Sequence, residues 1–333
     1  MVPTTRARLA LPVLGCTAVL IASAVASRQE PRPRTMQATM AEAALALLES
    51  LDDRSDAATA AFDDAERTEW AFGPVRREGV SLKGLSKDQL GRLDDLLDTA
   101  LSDAGIAAWR EVRAQEIELR ERESTPERVA THRDPELYWV RVYGVPTETS
   151  RWSWRVEGHH FALHVDCRPG AAPSVTPFFV GANPLFIEVG GGSEGIGVHL
   201  FERLNQRYAA LDAGIGTTDE ARPADVRMAP GKDALPAEDG VSLERLETGD
   251  RERVLSLLST YAALLDPALR EPYALGTDAA DDVSFVRWGA TELRAPRAWC
   301  LRTPRYALEL VTTDGPHHVH VLLRDVERDF GGR

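Results

Sequence analysis

Apolar residues recur at helical spacing early in the chain and at strand spacing later. Over residues 36–52, Met40, Ala44, Leu47 and Leu51 fall on one face of a helix, and 56–67 continue it after a break. A second helix is predicted from Ser86, because Ser86 and Gln89 fit a capping box in which each side chain satisfies a free amide of the first turn. Leu90, Leu93, Leu96 and Leu97 supply its apolar face, and a third helix covers 106–123. After Thr125 the texture changes: 138–143, 152–156, 161–165 and 175–180 are short runs rich in aromatic and β-branched residues, separated by turn residues. Their close spacing, with no helix between them, predicts an antiparallel sheet. Residues 185–189 add a short strand, 197–211 a helix, 214–240 an irregular connection, and 251–265 a helix with Val254, Leu257, Leu258, Tyr261 and Leu265 along one side. Strands over 283–288, 298–302, 306–312 and 319–323 close the chain. This order predicts an α+β fold, an N-terminal helical segment packed on a mainly antiparallel β-sheet core with inserted helices. It forms a single domain over 36–331, helical over 36–124 and β-rich over 135–331. No period of about 20–50 residues recurs, which argues against a repeat array.

The first 26 residues have the pattern of a signal peptide: Arg6 and Arg8, an apolar run from Leu9 to Ile21, then small residues at Ala24-Val25-Ala26. The reading is export to the periplasm or the extracellular space with cleavage after Ala26, followed by a flexible leader over 27–35. An uncleaved anchor, or lipidation at Cys16 within Val13-Leu14-Gly15-Cys16, are the alternatives. No stable membrane span is expected after cleavage. Losing Arg6 and Arg8 takes the net charge from -13 to -15. An acidic surface of that size repels nucleic acid and anionic membranes, so neither is expected as a partner. Cys167 and Cys300 survive processing. An oxidising compartment favours a bridge between them, with two unpaired buried thiols as the alternative.

Six of the eight histidines lie in two short segments, His159, His160 and His164 in one and His317, His318 and His320 in the other. Both read as strands. Side chains alternate along a strand, so His318 and His320 share a face about 6–7 Å apart at the backbone. By the same rule His160 and His164 share a face and His159 takes the other, unless a bulge follows Gly158. Neutral imidazole is a common transition-metal ligand, and several such nitrogens with a carboxylate make a competent ligand set. Nearby carboxylates are Glu157, Glu309 and Asp325. Outside the cytoplasm zinc or copper is expected first, with iron or manganese behind them. The competing reading buries Val319, Val321 and Leu323, and Phe161, Leu163 and Val165, leaving the histidines in solvent.

Two other motifs compete. Gly191-Gly192-Ser193-Glu194-Gly195 matches the G-x-S-x-G nucleophile elbow between a strand and a helix, which admits a serine hydrolase using Ser193. The surrounding order, however, is not the alternation of strand and helix that such hydrolases use. The Walker, CxxC, HExxH and EF-hand patterns are absent.

Trp152-x-x-x-Val156-Glu157-Gly158-His159-His160, followed by Thr176-Pro177-Phe178-Phe179-x-Gly181-Ala182-Asn183-Pro184, resembles the uncharacterised bacterial DUF3500 family. Trp70 to Gly79, Phe285-Val286-Arg287-Trp288, Tyr306 to Glu309, His318-Val319-His320, Arg324-Asp325 and Asp329-Phe330-Gly331 extend the resemblance across about Met40 to Gly331. In that family the GHH pair and the HxH pair recur, whereas the positions of His164 and His317 usually carry other residues. The resemblance therefore implies that His159, His160, His318 and His320 matter most. It adds Asn183 as a candidate ligand contact, with a turn-forming role as the alternative, and Arg324 as a second. The leading expectation is a metal-dependent hydrolase or oxidoreductase, with Glu157 or Glu309 moving the proton and a small molecule of unknown identity as substrate. A non-catalytic binding protein, with Trp152, Trp154 and Trp288 lining a pocket beside the histidines, is the second.

Overall fold

The early helices form where the apolar spacing places them. In the computed structural model, residues 34–122, 125–126, 132–188, 194–237, 240–279, 282–292 and 294–332 are described. Residues 1–33, where the sequence predicts a signal peptide and leader, and Ser193 lie outside them. Helix α1 spans Met36–Ser50, and Thr35 caps it by accepting a hydrogen bond from the Ala38 amide. After the short α2 (Ser55–Ala58), α3 spans Lys87–Asp98 with the capping box of Ser86 and Gln89 complete. Helix α4 runs Asp103–Arg122, α5 His199–Ala209 and α6 Thr248–Ala262. No helix among the described residues is long and apolar enough to cross a membrane.

The strands are β1 (Thr59–Ala60), β2 (Val80–Ser81), β3 (Tyr138–Tyr143), β4 (Trp152–Gly158), β5 (Phe161–Cys167), β6 (Phe178–Ala182), β7 (Phe186–Glu188), β8 (Glu194–Ile196), β9 (Val241–Ser242), β10 (Ser284–Gly289), β11 (Arg297–Arg302), β12 (Tyr306–Thr312) and β13 (Val319–Asp325). All but β7 and β8 join one 11-stranded sheet in the order β1-β3-β4-β5-β6-β13-β12-β11-β10-β9, with β2 paired to β3. Pairing is antiparallel except between β1 and β3. Thr35–Arg333 forms one compact α+β unit.

Two meanders make up this sheet. Strands β3 to β6 run side by side; the chain then leaves through α5 and α6 and returns at the far edge, and β10 to β13 run back inward. The last strand therefore meets β6, with His320 opposite Gly181 and Val319 opposite Ala182. That one pairing brings residues about 140 positions apart in sequence onto adjacent strands.

Both faces of the sheet are covered. On the first, Trp152, Trp154, Val156, Phe161, Leu163, Val321 and Leu323 pack with residues of the helices, among them Leu47, Leu96, Trp109 and Leu258. On the second, Ala162, Phe179, Val286, Trp288, Cys300 and Leu322 pack with Trp70, Val226, Met228 and Phe330 from outside the sheet. Strands β4, β5, β12 and β13 are accordingly buried along their whole lengths. This corrects the expectation that alternation leaves one face in solvent: Val319, Val321 and Leu323 are buried, yet His320 on the opposite face is buried too. The expected bridge also fails. Cys167 and Cys300 are both free thiols, and they belong to opposite faces.

Candidate metal centre

The sequence Gly158-His159-His160-Phe161 forms a tight hairpin turn, since Gly158 pairs with Phe161 and the two histidines make up the loop. His160 has φ of 63°, the left-handed conformation that non-glycine residues rarely adopt. Strand alternation therefore does not apply to the pair. Instead of pointing to opposite faces, the two imidazoles stack, centroids 3.7 Å apart and planes 28° from parallel. Gly158 is required because a Cβ there would lie 2.1 Å from the Tyr138 ring. The Tyr138 hydroxyl in turn donates to the His159 carbonyl at 2.6 Å, and the His160 amide donates to the Phe72 carbonyl at 3.0 Å.

Gly181 lies between the two histidine segments. Its amide donates to the His160 carbonyl at 2.7 Å, and across the next ladder it faces His320. With no side chain at Gly181, the rings of His160 and His320 meet above it, 5.3 Å apart by centroid. His318, just before β13 on the same side as His320, completes the group at 4.9 Å from His160 and 4.6 Å from His320. One ring nitrogen of each lies within 4.8 Å of the other two, and the Nε2 atoms of His160 and His318 are 2.9 Å apart. Around a tetrahedral zinc, ligand nitrogens sit about 3.3 Å from one another, close to the separation of His160 and His318.

The polar surroundings fit ligation. His320 Nδ1 donates to Asp225 Oδ1 at 2.7 Å, which leaves Nε2 as the nitrogen with a lone pair. That Nε2 is buried, and among the described residues it has no hydrogen-bond partner. Burial would hold the Asp225 carboxyl up, but the hydrogen bonds it accepts from His320 and from the Val226 amide outweigh this, and the group lies below the usual range. Burial, then the neighbouring imidazoles, lowers His160 well below the usual histidine value, and burial followed by His320 pushes His318 down to about 4. Both are neutral at pH 7, the state a metal ligand needs. Phe72 and Phe179, stacked 4.2 Å apart, each meet the His320 ring edge-on at 5.1 Å and keep water from that side. The His318 side chain, 18% exposed, marks the open side.

Not every predicted residue joins the cluster. His159 stands behind His160, its Nδ1 in a short contact with Glu116 Oε1 and 3.2 Å from Arg133 Nη1. Burial, then the Arg133 charge, lowers it well below the usual histidine value. Glu157 sits 2.6 Å from His164 Nε2 and 3.5 Å from Arg77 Nε, and Arg155 is 3.9 Å away. Glu309 accepts from Arg227 Nε at 2.7 Å and from the Met228 amide at 3.0 Å. Asp325 pairs with Arg305 at 3.1 Å. Arg324 donates to Asp329 and to the Met228 carbonyl, each at 2.6 Å. None of these carboxylates touches the three histidines. Asn183 is half-buried, one step beyond the pairing of Ala182 with Val319. The His317 carbonyl accepts from the Leu185 amide at 2.6 Å, and its ring leans on Phe186 away from the cluster. Trp152 and Trp154 lie on the first face and Trp288 on the second, so they do not share a pocket. Ser193 lies outside the described residues; those flanking it form the antiparallel pair β7 and β8, and the next helix starts at His199.

Asp225, Phe72 and Phe179 escaped the sequence reading as site residues. The Trp70 to Gly79 motif signals the second of them. Its arginine, Arg77, donates to the carbonyls of Ala71, Gly73 and Gly158, which ties that segment to the histidine turn.

The molecule is thus an α+β protein whose second sheet face holds a buried three-histidine cluster with one open side. A family model described as a protein of unknown function, DUF3500, matches residues 34–332, and the chain belongs to that family. Neither the curated proteins nor the solved structures yield a match.

Proposed function

We propose that His160, His318 and His320 bind one transition-metal ion, and that the protein is an exported metal-dependent enzyme, hydrolytic with zinc or redox-active with copper. The observation that carries this reading is the Nε2 of His320, buried, without a partner among the described residues and backed by Asp225 on the other ring nitrogen. An imidazole held this way has its lone pair committed to nothing else. Three nitrogen donors favour zinc or copper over magnesium or calcium. Three protein ligands and an open side match the pattern of catalytic rather than structural metal sites. When bound, such an ion supplies a Lewis acid for a water molecule or a centre for electron transfer. The residues of the chain orient and shield: Asp225 sets the His320 tautomer, Phe72 and Phe179 exclude water beneath, and His318 faces the opening.

Elemental analysis and zinc titration of the purified chain test this. About one equivalent of zinc or copper is expected. It should be lost in His320→Ala and His318→Ala and retained in His199→Ala, whose ring is 62% exposed and pairs with Glu111 away from the cluster. A wild-type protein that takes up neither ion refutes the reading.

A further inference from the structure

The segment from Arg222 to Leu235 has no regular secondary structure, yet it is stitched to the second face at four points. Arg222 donates to the Thr312 carbonyl. Asp225 accepts from His320 at 2.7 Å. Glu309 of β12 holds both Arg227 Nε, at 2.7 Å, and the Met228 amide, at 3.0 Å. Arg324 of β13 donates to the Met228 carbonyl at 2.6 Å. Val226 and Met228 are inserted into the apolar layer between these polar anchors. Glu309 and Arg324 therefore grip one residue, Met228, by its amide and its carbonyl, three residues from the carboxylate that touches the cluster.

We propose that this strap is the positioning device of the metal centre: Glu309, acting through Met228 and Arg227, holds Asp225 against His320, so strap docking and metal loading reinforce each other. This rests on the metal-binding reading above. Asp225 is the strap's contact with the cluster, and a ligand held in its binding tautomer binds metal more tightly than one free to turn. By reciprocity, whatever factor docking adds to metal affinity, metal adds to docking.

Zinc affinity, measured by competition with a chromophoric chelator, and trypsin cleavage after Arg227 and Lys232, followed by mass spectrometry, test the coupling together. In Glu309→Ala, zinc affinity is expected to fall about tenfold or more, in the range for outer supports of a metal ligand, and both strap sites are cut faster. Saturating zinc should slow those cuts in the wild type. Asp225→Ala breaks the link itself, so adding Glu309→Ala to it should weaken zinc no further. Arg227→Ala removes the ion pair while leaving the buried carboxylate its amide partner, and serves if Glu309→Ala does not fold; because this variant lacks the Arg227 site, its strap cleavage is read after Lys232. Tight zinc binding that Glu309→Ala and Arg227→Ala leave unchanged, with the strap cut faster, overturns the coupling while the metal centre stands. A wild type that holds no metal overturns both.

Discussion

Gly181→Ala is the sharpest steric test of the cluster. Gly181 has no positive φ, so alanine is tolerated by the backbone, and any effect comes from the added methyl group. That Cβ would lie 2.7 Å from His160 Cδ2, 2.9 Å from Cγ and 3.2 Å from Cβ. Normal carbon–carbon contact begins at about 3.5 Å, so the ring must retreat by roughly 0.8 Å. It cannot do so by swinging its far end, because the clash reaches the root of the side chain. Nor can the turn slide freely, since the Gly181 amide is bonded to the His160 carbonyl at 2.7 Å. Metal–ligand distances tolerate about 0.2 Å, a quarter of the required shift. Zinc affinity should therefore drop by at least about 10- to 100-fold, with an overpacking cost of about 1–3 kcal/mol in stability. Gly91→Ala is the control: it lies exposed in α3 with nothing within 4 Å of a Cβ, and should stabilise by about 0.5–1 kcal/mol without touching zinc. Chelator competition and thermal melts read both quantities. Wild-type zinc affinity in a folded Gly181→Ala protein would refute the packing argument.

Glu157→Gln should destabilise by about 3–5 kcal/mol in denaturant titration, because it leaves His164, Arg77 and Arg155 buried around a neutral amide; a loss under 1 kcal/mol contradicts this. Burial raises the Glu157 carboxyl, but His164 and Arg155 together bring it below its ordinary value. Its contribution is thus full above the unfolded pKa of about 4.3 and fades as pH falls through the lower folded value, so the gap between wild type and Glu157→Gln should close on acidification. Burial, aided by Asp166 for Cys167 and Glu309 for Cys300, pushes both thiols up. In a chain starting at Thr35, a thiol reagent at pH 8 should label neither cysteine until denaturant is added, when it labels both; rapid native labelling would show that one face opens readily.

Strand identity was legible because aromatic and β-branched runs have few other uses: β3 and β12 occupy the predicted 138–143 and 306–312. Strand partnership was not. No local signal says that β13 returns to β6, and on that pairing the whole cluster depends. Alternation misled where its premise failed. It assumes one solvated face, but the strap and the Trp70 to Gly79 segment cover the second, so Glu157, His164 and His320 are buried where polar positions read as exposed. It misled again at His159 and His160, where a left-handed residue ends the strand geometry. Asp225 was invisible for a different reason. Within the acid-rich 214–240 stretch nothing in the sequence separates it from Asp219, Glu220 or Asp233.

The buried charges of the second face follow from what they hold. An isolated buried ion pair stabilises a fold less than well-packed apolar side chains of the same volume, so stability alone does not explain Glu157 with Arg77, Glu309 with Arg227 and Arg324 with Asp329 on one face. What a buried arginine or glutamate supplies is direction, because it fixes a backbone carbonyl or amide at hydrogen-bond distance. Arg77 takes the carbonyls on either side of Phe72 and the one that precedes His159. Glu309 and Arg324 take the amide and carbonyl of Met228, three residues from Asp225. Each bond is thus made within a few residues of a ring or carboxylate that meets the cluster, and those to Ala71, Gly73 and Met228 hold chain segments that have no helix or strand of their own to place them. Apolar packing would close the same face, but it would leave those segments free to slide by the few tenths of an ångström that a metal ligand cannot tolerate.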